Sequence, residues 1–175
     1  TVHRKGNNLW TYGEAFGAEA PTVMLCSHHD TVRPVASWQR DPFDPLIADG
    51  RIVGLGSNDA GGCVAALCGT FLSLHERRDL PFNLLLVLNA EEEIAGDGGV
   101  ASVMDEVGPV ELAIIGEPTE MQLAVAEKGL LVLDCVAHGI AGHAARSTGV
   151  NAISVAMRDI DWIERYSFPV QSPRL

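Results

Sequence analysis

Histidine and carboxylate side chains recur in the polar loops of this 175-residue chain, mostly directly after a short apolar run. Imidazole nitrogens and carboxylate oxygens are the usual ligands of a divalent metal such as zinc. One histidine or aspartate after a strand is more often a turn or capping residue, but four such loops in one chain favour a metal site. The candidate residues are His28, Asp30, Asp59, Glu92, Glu93 and Glu117.

The acidic triplet Glu91, Glu92 and Glu93 taken alone has a second interpretation. Acidic side chains are favourable at a helix start, so the triplet could be a solvated run of charge. It follows the apolar run 84–88 directly, however, and that run predicts a buried strand ending at the triplet. The context therefore favours a role for the triplet in a functional site over a role as solvated surface charge.

Three short runs rich in Val, Leu and Ile predict buried parallel strands at residues 23–26, 83–89 and 112–115. Helical spacing of apolar residues predicts helices at 60–77 and 98–107. The alternation predicts an α/β fold, a mixed, mostly parallel sheet flanked by helices. Loops at the carboxyl ends of such strands usually form the site, and the candidate residues fall there. The first helix is expected to bury Val64, Leu67, Cys68, Phe71, Leu72 and Leu74.

The pattern changes near residue 120. Two longer strand-like runs, at 122–126 and 130–137, precede a glycine-rich turn and a helix at about 151–166. We therefore expect a zinc-binding catalytic domain at 1–119, followed by the start of an α+β domain at 120–175.

Charge and composition exclude several classes of partner. The formal net charge of −11, with no basic cluster, argues against nucleic acid and anionic membrane surfaces. No run approaches the roughly 20 apolar residues of a membrane span, and the four cysteines lack the close spacing of a zinc ribbon or redox motif. We expect a soluble, cytoplasmic protein with reduced cysteines.

Four motifs occur in a characteristic order, and together they are far more specific than any one of them. They lie at residues 27–32 (SHHDTV), 54–62 (GLGSNDAGG), 90–93 (AEEE) and 116–119 (GEPT). This series resembles the co-catalytic zinc metallopeptidase family of acetylornithine deacetylase, succinyl-diaminopimelate desuccinylase, aminoacylase and the glutamate carboxypeptidases. The resemblance runs from about Leu9 to the end of the chain and is strongest to acetylornithine deacetylase.

The resemblance implies a site for two Zn²⁺ ions, with Co²⁺ as a possible substitute. It implies that His28 and Glu117 bind the first ion, that Asp59 bridges both, and that Glu93 binds the second. Asp30 would orient the imidazole of His28. No residue of this chain matches the histidine that completes the second metal's ligands in the family.

Two further roles are implied by the same resemblance. Glu92 would act as general base, taking a proton from the attacking water and passing it to the leaving amine. His143, in the motif at 142–146, would stabilise the oxyanion from a lid domain, although an ordinary loop histidine is an equal alternative. Family members also tend to have a cis peptide bond after the bridging aspartate, here Asp59. Trp38 lies in a loop that could help to wall the pocket.

The expected function is hydrolysis of the N-acyl group of a small amino-acid substrate, most plausibly deacetylation of N-acetyl-L-ornithine in arginine biosynthesis. Succinyl-diaminopimelate desuccinylase and dipeptidase or carboxypeptidase activity remain alternatives. An inactive metal-binding fragment or interaction module is an alternative of another class. A nucleotide-binding domain is disfavoured because no glycine-rich phosphate loop is present.

Family members are about twice as long as this chain and form homodimers through the lid domain. We therefore expect an incomplete copy of the enzyme, ending inside the lid, which would dimerise through that lid when full-length.

Overall fold

The computed structural model describes residues 1–17, 19–126, 129, 131–143, 145–146 and 148–169. The chain separates into two compact units, Thr1–Val125 and Ala126–Leu175, and each is described by itself. The predicted division into a catalytic domain at 1–119 and a lid at 120–175 stays a prediction.

The described residues of the first unit form seven strands. They are β1 (Val2–Lys5), β2 (Asn8–Tyr12), β3 (Thr22–His28), β4 (Leu46–Ala48), β5 (Arg51–Val53), β6 (Asn83–Asn89) and β7 (Leu112–Ile115). Five of them form one sheet in the order β1-β2-β6-β3-β7, while β4 and β5 pair separately. Strands β6, β3 and β7 are parallel, whereas β1 and β2 run antiparallel. The mixed sheet is thus parallel at the three strands predicted from the sequence. The prediction that all three are buried holds for β3 and β6 but is wrong for β7, which lies at the sheet edge and is exposed along its length.

Alternation along the central strands fills two apolar layers. Met24 and Cys26 of β3 face one side of the sheet with Leu85 and Val87 of β6. Leu25 faces the other side, in a cluster with Leu84, Leu86 and Phe71. Because both faces are covered, the strand sequences are apolar at consecutive positions, as in other buried parallel sheets.

One helix covers each face of the sheet. Helix α1 (Cys63–Leu74) buries Phe71 and packs Leu67, Cys68 and Leu74 against the Leu25 cluster. The predicted helix 60–77 was too long at both ends, and Leu72, predicted to be buried, is 67% exposed. On the other face, a 3-10 turn (Val100–Val103) leads into α2 (Met104–Val107).

Parallel pairing brings the carboxyl ends of β3, β6 and β7 to one edge of the sheet. His28 of β3 is opposite Asn89 of β6, and Cys26 is opposite Ile115 of β7. Residues that follow these strands therefore start from neighbouring positions. This register positions the candidate site.

The second unit contains helix α3 (Ala152–Arg165), whose first turn is capped by the Asn151 side chain accepting a hydrogen bond from the Ile153 N–H. A β-bridge joins Ile140 to Val150. The predicted helix at 151–166 is confirmed to within one residue at each end.

The two strand-like runs near the unit boundary do not form strands. None of the described residues in 122–126 or 131–137 is in a strand, and Leu130 lies outside the described residues. Their apolar side chains, such as Leu123 and Leu133, are exposed. High β-propensity needs a pairing partner, and the described part of the chain provides none for these runs. Across the described helices, none has both the length and the hydrophobicity to cross a bilayer.

Candidate metal centre and active site

His28 lies at the end of β3 with its side chain 1% exposed. Its Nδ1 is 3.1 Å from the backbone carbonyl oxygen of Asp30. Because a carbonyl can only accept, Nδ1 carries the proton in the neutral ring and Nε2 keeps its lone pair. Nε2 lies 2.9 Å from Oδ1 of Asp59. The ring therefore presents its basic nitrogen to the acidic cluster.

Asp59 lies in the turn between β5 and α1, and the peptide bond that follows it is cis, as expected from the resemblance. The turn is compact because Gly56 has φ of 75° and its carbonyl accepts a hydrogen bond from the Gly61 N–H at 2.8 Å. A Cβ on Gly61 would lie 2.5 Å from that carbonyl oxygen, so this close approach requires glycine. Buried Ala60 anchors the turn, and the Asp59 side chain stays half-exposed.

Asp30 connects the histidine to the acidic triplet. Its carboxylate oxygens accept hydrogen bonds from the backbone N–H groups of Glu92 and Glu93, each at 3.3 Å. Oδ1 of Asp30 also lies 3.6 Å from Nδ1 of His28, beyond a normal hydrogen bond. The backbone carbonyl of Asp30 thus orients the ring, and its carboxylate holds the loop that carries Glu92 and Glu93.

Glu117 reaches the site through the register of β7. Ser27 Oγ donates to the carbonyl of Gly116 at 2.8 Å, which fixes the end of β7 beside β3. One residue later, Oε2 of Glu117 lies 3.7 Å from Nε2 of His28. Oε2 of Glu92 lies 4.0 Å from the same nitrogen. Carboxylates from three separate loops therefore surround one imidazole.

The donor set fits a zinc-type ion. Ligand atoms of His28, Asp59 and Glu93 lie within 4.8 Å of one another, and all are of the types that zinc binds. Glu117 lies beside them. The structure brings these predicted ligands together with Asp30 and Glu92, while the assignment of each residue to a first or second ion stays a prediction.

Clustered charge shifts two proton affinities in the site. Burial alone would lower the pKa of His28, but its hydrogen bond to the Asp30 carbonyl and the carboxylates of Glu117, Asp59 and Glu92 raise it above the usual 6.5. Burial raises the pKa of Glu117 above 4.5; the imidazole of His28 opposes this rise, and the neighbouring carboxylates add to it. Neighbouring carboxylates therefore raise the pKa of both groups, whereas burial acts in opposite directions on the two.

Two cavities flank the acidic triplet. One, of about 240 Å³, is lined by Asp59, Glu93 and Trp38, so the loop predicted to wall the pocket does line this cavity. The other, of about 470 Å³, lies beside Asp30 and Glu91. The first cavity opens on the candidate metal ligands.

His143 belongs to the second unit, so the two candidate histidines are described separately. Nδ1 of His143 accepts a hydrogen bond from the Ala145 N–H at 3.2 Å, and the backbone N–H of His143 donates to Thr148 Oγ1 at 3.4 Å. In the neutral ring the proton is therefore on Nε2, leaving that nitrogen as a donor. Ala144, within the predicted motif, lies outside the described residues.

The residues that hold the loops in place were not predicted from the sequence. Asn8, at the start of β2, is 1% exposed, and its side chain hydrogen-bonds to Ala90 and Gly98, at the two ends of the loop that carries Glu92 and Glu93. Ser27 lies within the motif at 27–32, but its contact with Gly116 was not predicted. An asparagine in a Gly-Asn-Asn turn gives no local signal of such a contact, because its partners are distant in sequence.

Two curated proteins are similar in sequence to this chain. The sequence is 34% identical over 163 residues to a probable carboxypeptidase of Aspergillus terreus, covering 88% of this chain and 36% of that protein. It is 33% identical over 153 residues to a succinyl-diaminopimelate desuccinylase of Xanthomonas campestris pv. campestris, covering 79% of this chain and 39% of that protein. The chain thus spans less than two fifths of the length of these curated relatives.

A crystal structure of human carnosine dipeptidase 1 is also similar, with a TM-score of 0.44 and 21% identity over 63% of this chain and 25% of that one. The family model described as "Peptidase family M20/M25/M40" matches residues 24–173. This range includes every metal-ligand candidate and both motifs that carry Glu92 and Glu117. This match covers most of the sequence, and the chain accordingly belongs to peptidase family M20/M25/M40.

Proposed function

We propose that the complete gene product containing this chain is a metal-dependent amidohydrolase that removes the acyl group from an N-acyl amino acid. The observation that carries this proposal is the convergence of carboxylates from three loops on the buried ring of His28, at distances of 2.9 to 4.0 Å. Membership of the peptidase family supports hydrolysis of an amide bond.

His28, Asp59, Glu93 and Glu117 would hold the metal. When bound, zinc polarises the acyl oxygen and makes a water molecule more acidic. The Nδ1 contact of His28 with the Asp30 carbonyl keeps Nε2 available as a ligand. Asp30 keeps Glu92 and Glu93 beside the ring through their backbone N–H groups.

Glu92 would act as the general base. Its side chain is half-exposed, and its carboxylate lies 4.0 Å from Nε2 of His28, close enough to reach a water in the metal centre. It takes the proton from that water as the new C–O bond forms. It then delivers the proton to the amide nitrogen as the C–N bond breaks, giving a carboxylic acid and a free amine.

His143 would stabilise the negative charge that develops on the acyl oxygen. The Ala145 N–H donates a hydrogen bond to Nδ1, so in the neutral ring Nε2 carries the proton and can donate a hydrogen bond to an oxyanion. We further propose that the complete protein is a homodimer formed through the unit that contains His143.

The substrate we favour is N-acetyl-L-ornithine. Support comes from the resemblance of residues 54–62 and 38–43 to deacetylase-type sequences. A desuccinylase is the second candidate, because one relative at 33% identity is named succinyl-diaminopimelate desuccinylase. Comparing kcat/KM for N-acetyl-L-ornithine, N-succinyl-diaminopimelate and a dipeptide separates these possibilities.

Replacing Glu92 with Gln tests the proposed chemistry. The amide cannot accept the water proton, so we expect kcat to fall by about 100-fold or more, the range typical of a lost general base. Zinc content, measured by atomic absorption on the complete protein, should stay at the wild-type value because Glu92 is not a proposed ligand.

Glu76→Gln is the control. Glu76 is exposed and lies just after the end of α1, away from the acidic cluster, so this variant should keep the wild-type kcat. Full turnover in Glu92→Gln would exclude Glu92 as the base. A wild-type protein that binds zinc without hydrolysing any of the three substrates would instead favour the non-catalytic metal-binding module.

A further inference from the structure

The segment from Ala90 to Gly99, here called the acidic loop, carries Glu92 and Glu93 from the end of β6 to the 3-10 turn. Asp30 holds the loop at Glu92 and Glu93. Two other residues, Asn8 and Glu91, hold its two ends.

Asn8 joins the beginning and end of the acidic loop. Its Oδ1 accepts a hydrogen bond from the Ala90 N–H at 3.0 Å. Its Nδ2 donates to the carbonyl of Gly98 at 2.7 Å, with longer contacts to the Lys5 carbonyl and Ser102 Oγ. An amide side chain provides the acceptor and the donors that this pair of contacts needs. With Asn8 1% exposed, breaking these bonds would leave buried groups unpaired.

Glu91 closes the same loop from inside. Its carboxylate accepts a hydrogen bond from the Gly98 N–H at 2.9 Å, and its backbone carbonyl accepts one from the Gly96 N–H at 2.9 Å. A Cβ on Gly98 would lie 2.6 Å from Oε1 of Glu91, and a Cβ on Gly96 would collide with the same carboxylate. The two glycines therefore make room for the Glu91 side chain.

The backbone at Glu91 explains how three adjacent acids take different directions. Glu91 has φ of 59°, a left-handed conformation that is uncommon for a residue other than glycine. Within the described residues, the carboxylates found within 4.0 Å of a ring nitrogen of His28 belong to Asp30, Asp59, Glu92 and Glu117. The first acid of the triplet thus bonds to its own loop, while the next two lie at the site.

We propose that Glu91 and Asn8 are positioning residues, which close the acidic loop so that Glu92 and Glu93 are held at the metal centre. This inference rests on the proposed function, because it assumes that Glu93 binds metal and Glu92 transfers the proton. Small displacements of such groups are costly, since ligand-supporting contacts typically contribute 10- to 100-fold to metal affinity or activity.

Four variants of the complete protein test the inference. Glu91→Ala and Asn8→Ala remove the two loop contacts. Glu91→Gln keeps a carbonyl oxygen that can accept from the Gly98 N–H, and it serves as the conservative rescue. Asp97→Ala is the matched control, because Asp97 lies in the same loop with an exposed side chain.

Each protein is measured for zinc affinity by chelator competition, for the visible absorption spectrum of its Co²⁺ form, and for kcat and KM. For Glu91→Ala and Asn8→Ala we expect kcat to fall roughly 10- to 100-fold, zinc affinity to weaken and the cobalt spectrum to change, with KM altered less than about threefold. Glu91→Gln should recover most of kcat and the wild-type spectrum. Asp97→Ala should match the wild type in zinc affinity, cobalt spectrum, kcat and KM.

A purely structural role would lower the melting temperature but leave the cobalt spectrum and the kcat of the folded fraction unchanged, and that result would overturn the inference. If the alanine variants do not fold, Glu91→Asp replaces them: its shorter side chain should not reach Gly98, and wild-type kcat and spectrum would equally overturn the inference. Wild-type protein without metal binding or turnover would instead refute the proposed function.

Discussion

The imidazole of His28 is buried among the carboxylates that surround it, and its two nitrogens are used differently. Nδ1 is fixed by the Asp30 carbonyl, whereas Nε2 faces Asp59, Glu92 and Glu117. A proton on Nε2 is stabilised by those carboxylates, as the raised pKa of His28 reflects. The same carboxylates stabilise a metal ion, so the proton and the metal compete for one nitrogen.

This competition predicts that zinc affinity depends on pH. The pKa of His28 lies above 6.5, so the ring is neutral and ready to bind above its raised pKa and becomes protonated as the pH falls through it. We expect the apparent zinc affinity to be constant at higher pH and to fall roughly tenfold per pH unit below that pKa. The measurement is chelator competition between about pH 8 and about pH 6.

His29→Gln is the control, because His29 is adjacent in sequence but directs its Nε2 to the Asn7 carbonyl. It should keep the pH dependence of the wild type. An affinity that stays constant across this range would show that protonation of His28 does not limit metal binding.

At the scale of elements, the end of β7 must approach α1 closely for Glu117 to reach the site. Gly116 makes this approach possible: a Cβ there would lie 2.9 Å from Cβ of Cys63 and from Cδ1 of Leu67. Both neighbours belong to the first turns of α1, which packs on the sheet through Phe71. The glycine thus sets the spacing between strand and helix.

Replacing Gly116 with Ala should therefore be destabilising. The added methyl group forces α1 or the end of β7 to shift, and overpacking of this kind costs about 1 to 3 kcal/mol. We expect the free energy of unfolding in urea to fall by that amount, and zinc affinity to weaken because Glu117 moves with the strand end.

Gly69→Ala is the matched control. Gly69 lies in α1 with no atom within 4 Å of a Cβ built on it, so the substitution should stabilise the helix by about 0.5 to 1 kcal/mol. If both variants change stability in the same direction, the close contact at Gly116 is not what determines the result.

Strands with continuous apolar runs were the most predictable from sequence. Such runs predicted β3 and β6, which are buried, and β7, which is exposed along its length, and the polar residues after them predicted the site edge. Strands β1 and β2, and the β4–β5 pair, were not predicted, because their apolar runs are shorter. Contacts such as Asn8 with the acidic loop depend on tertiary packing that sequence periodicity does not encode.

At the scale of the whole molecule, four acidic side chains lie close together in a chain that is already strongly acidic. The formal net charge is −11, and Asp59, Glu92, Glu93 and Glu117 add their charges within one small region. Like charges at such distances oppose folding, and they add to the rise in the pKa of Glu117 that burial causes. A divalent cation that binds only the folded chain would offset the repulsion and so stabilise the protein.

Metal removal should therefore lower the melting temperature of the complete protein. Zinc at about 100 times its Kd adds about 2.7 kcal/mol of stability, which EDTA should abolish. In Glu117→Gln we expect a smaller zinc-dependent shift, because a ligand is lost. Without metal the variant should be at least as stable as the wild type, since a carboxylate whose pKa is raised is unfavourable when ionised. Differential scanning calorimetry with and without EDTA measures both effects, and an undiminished zinc shift in Glu117→Gln would remove Glu117 from the set of metal ligands.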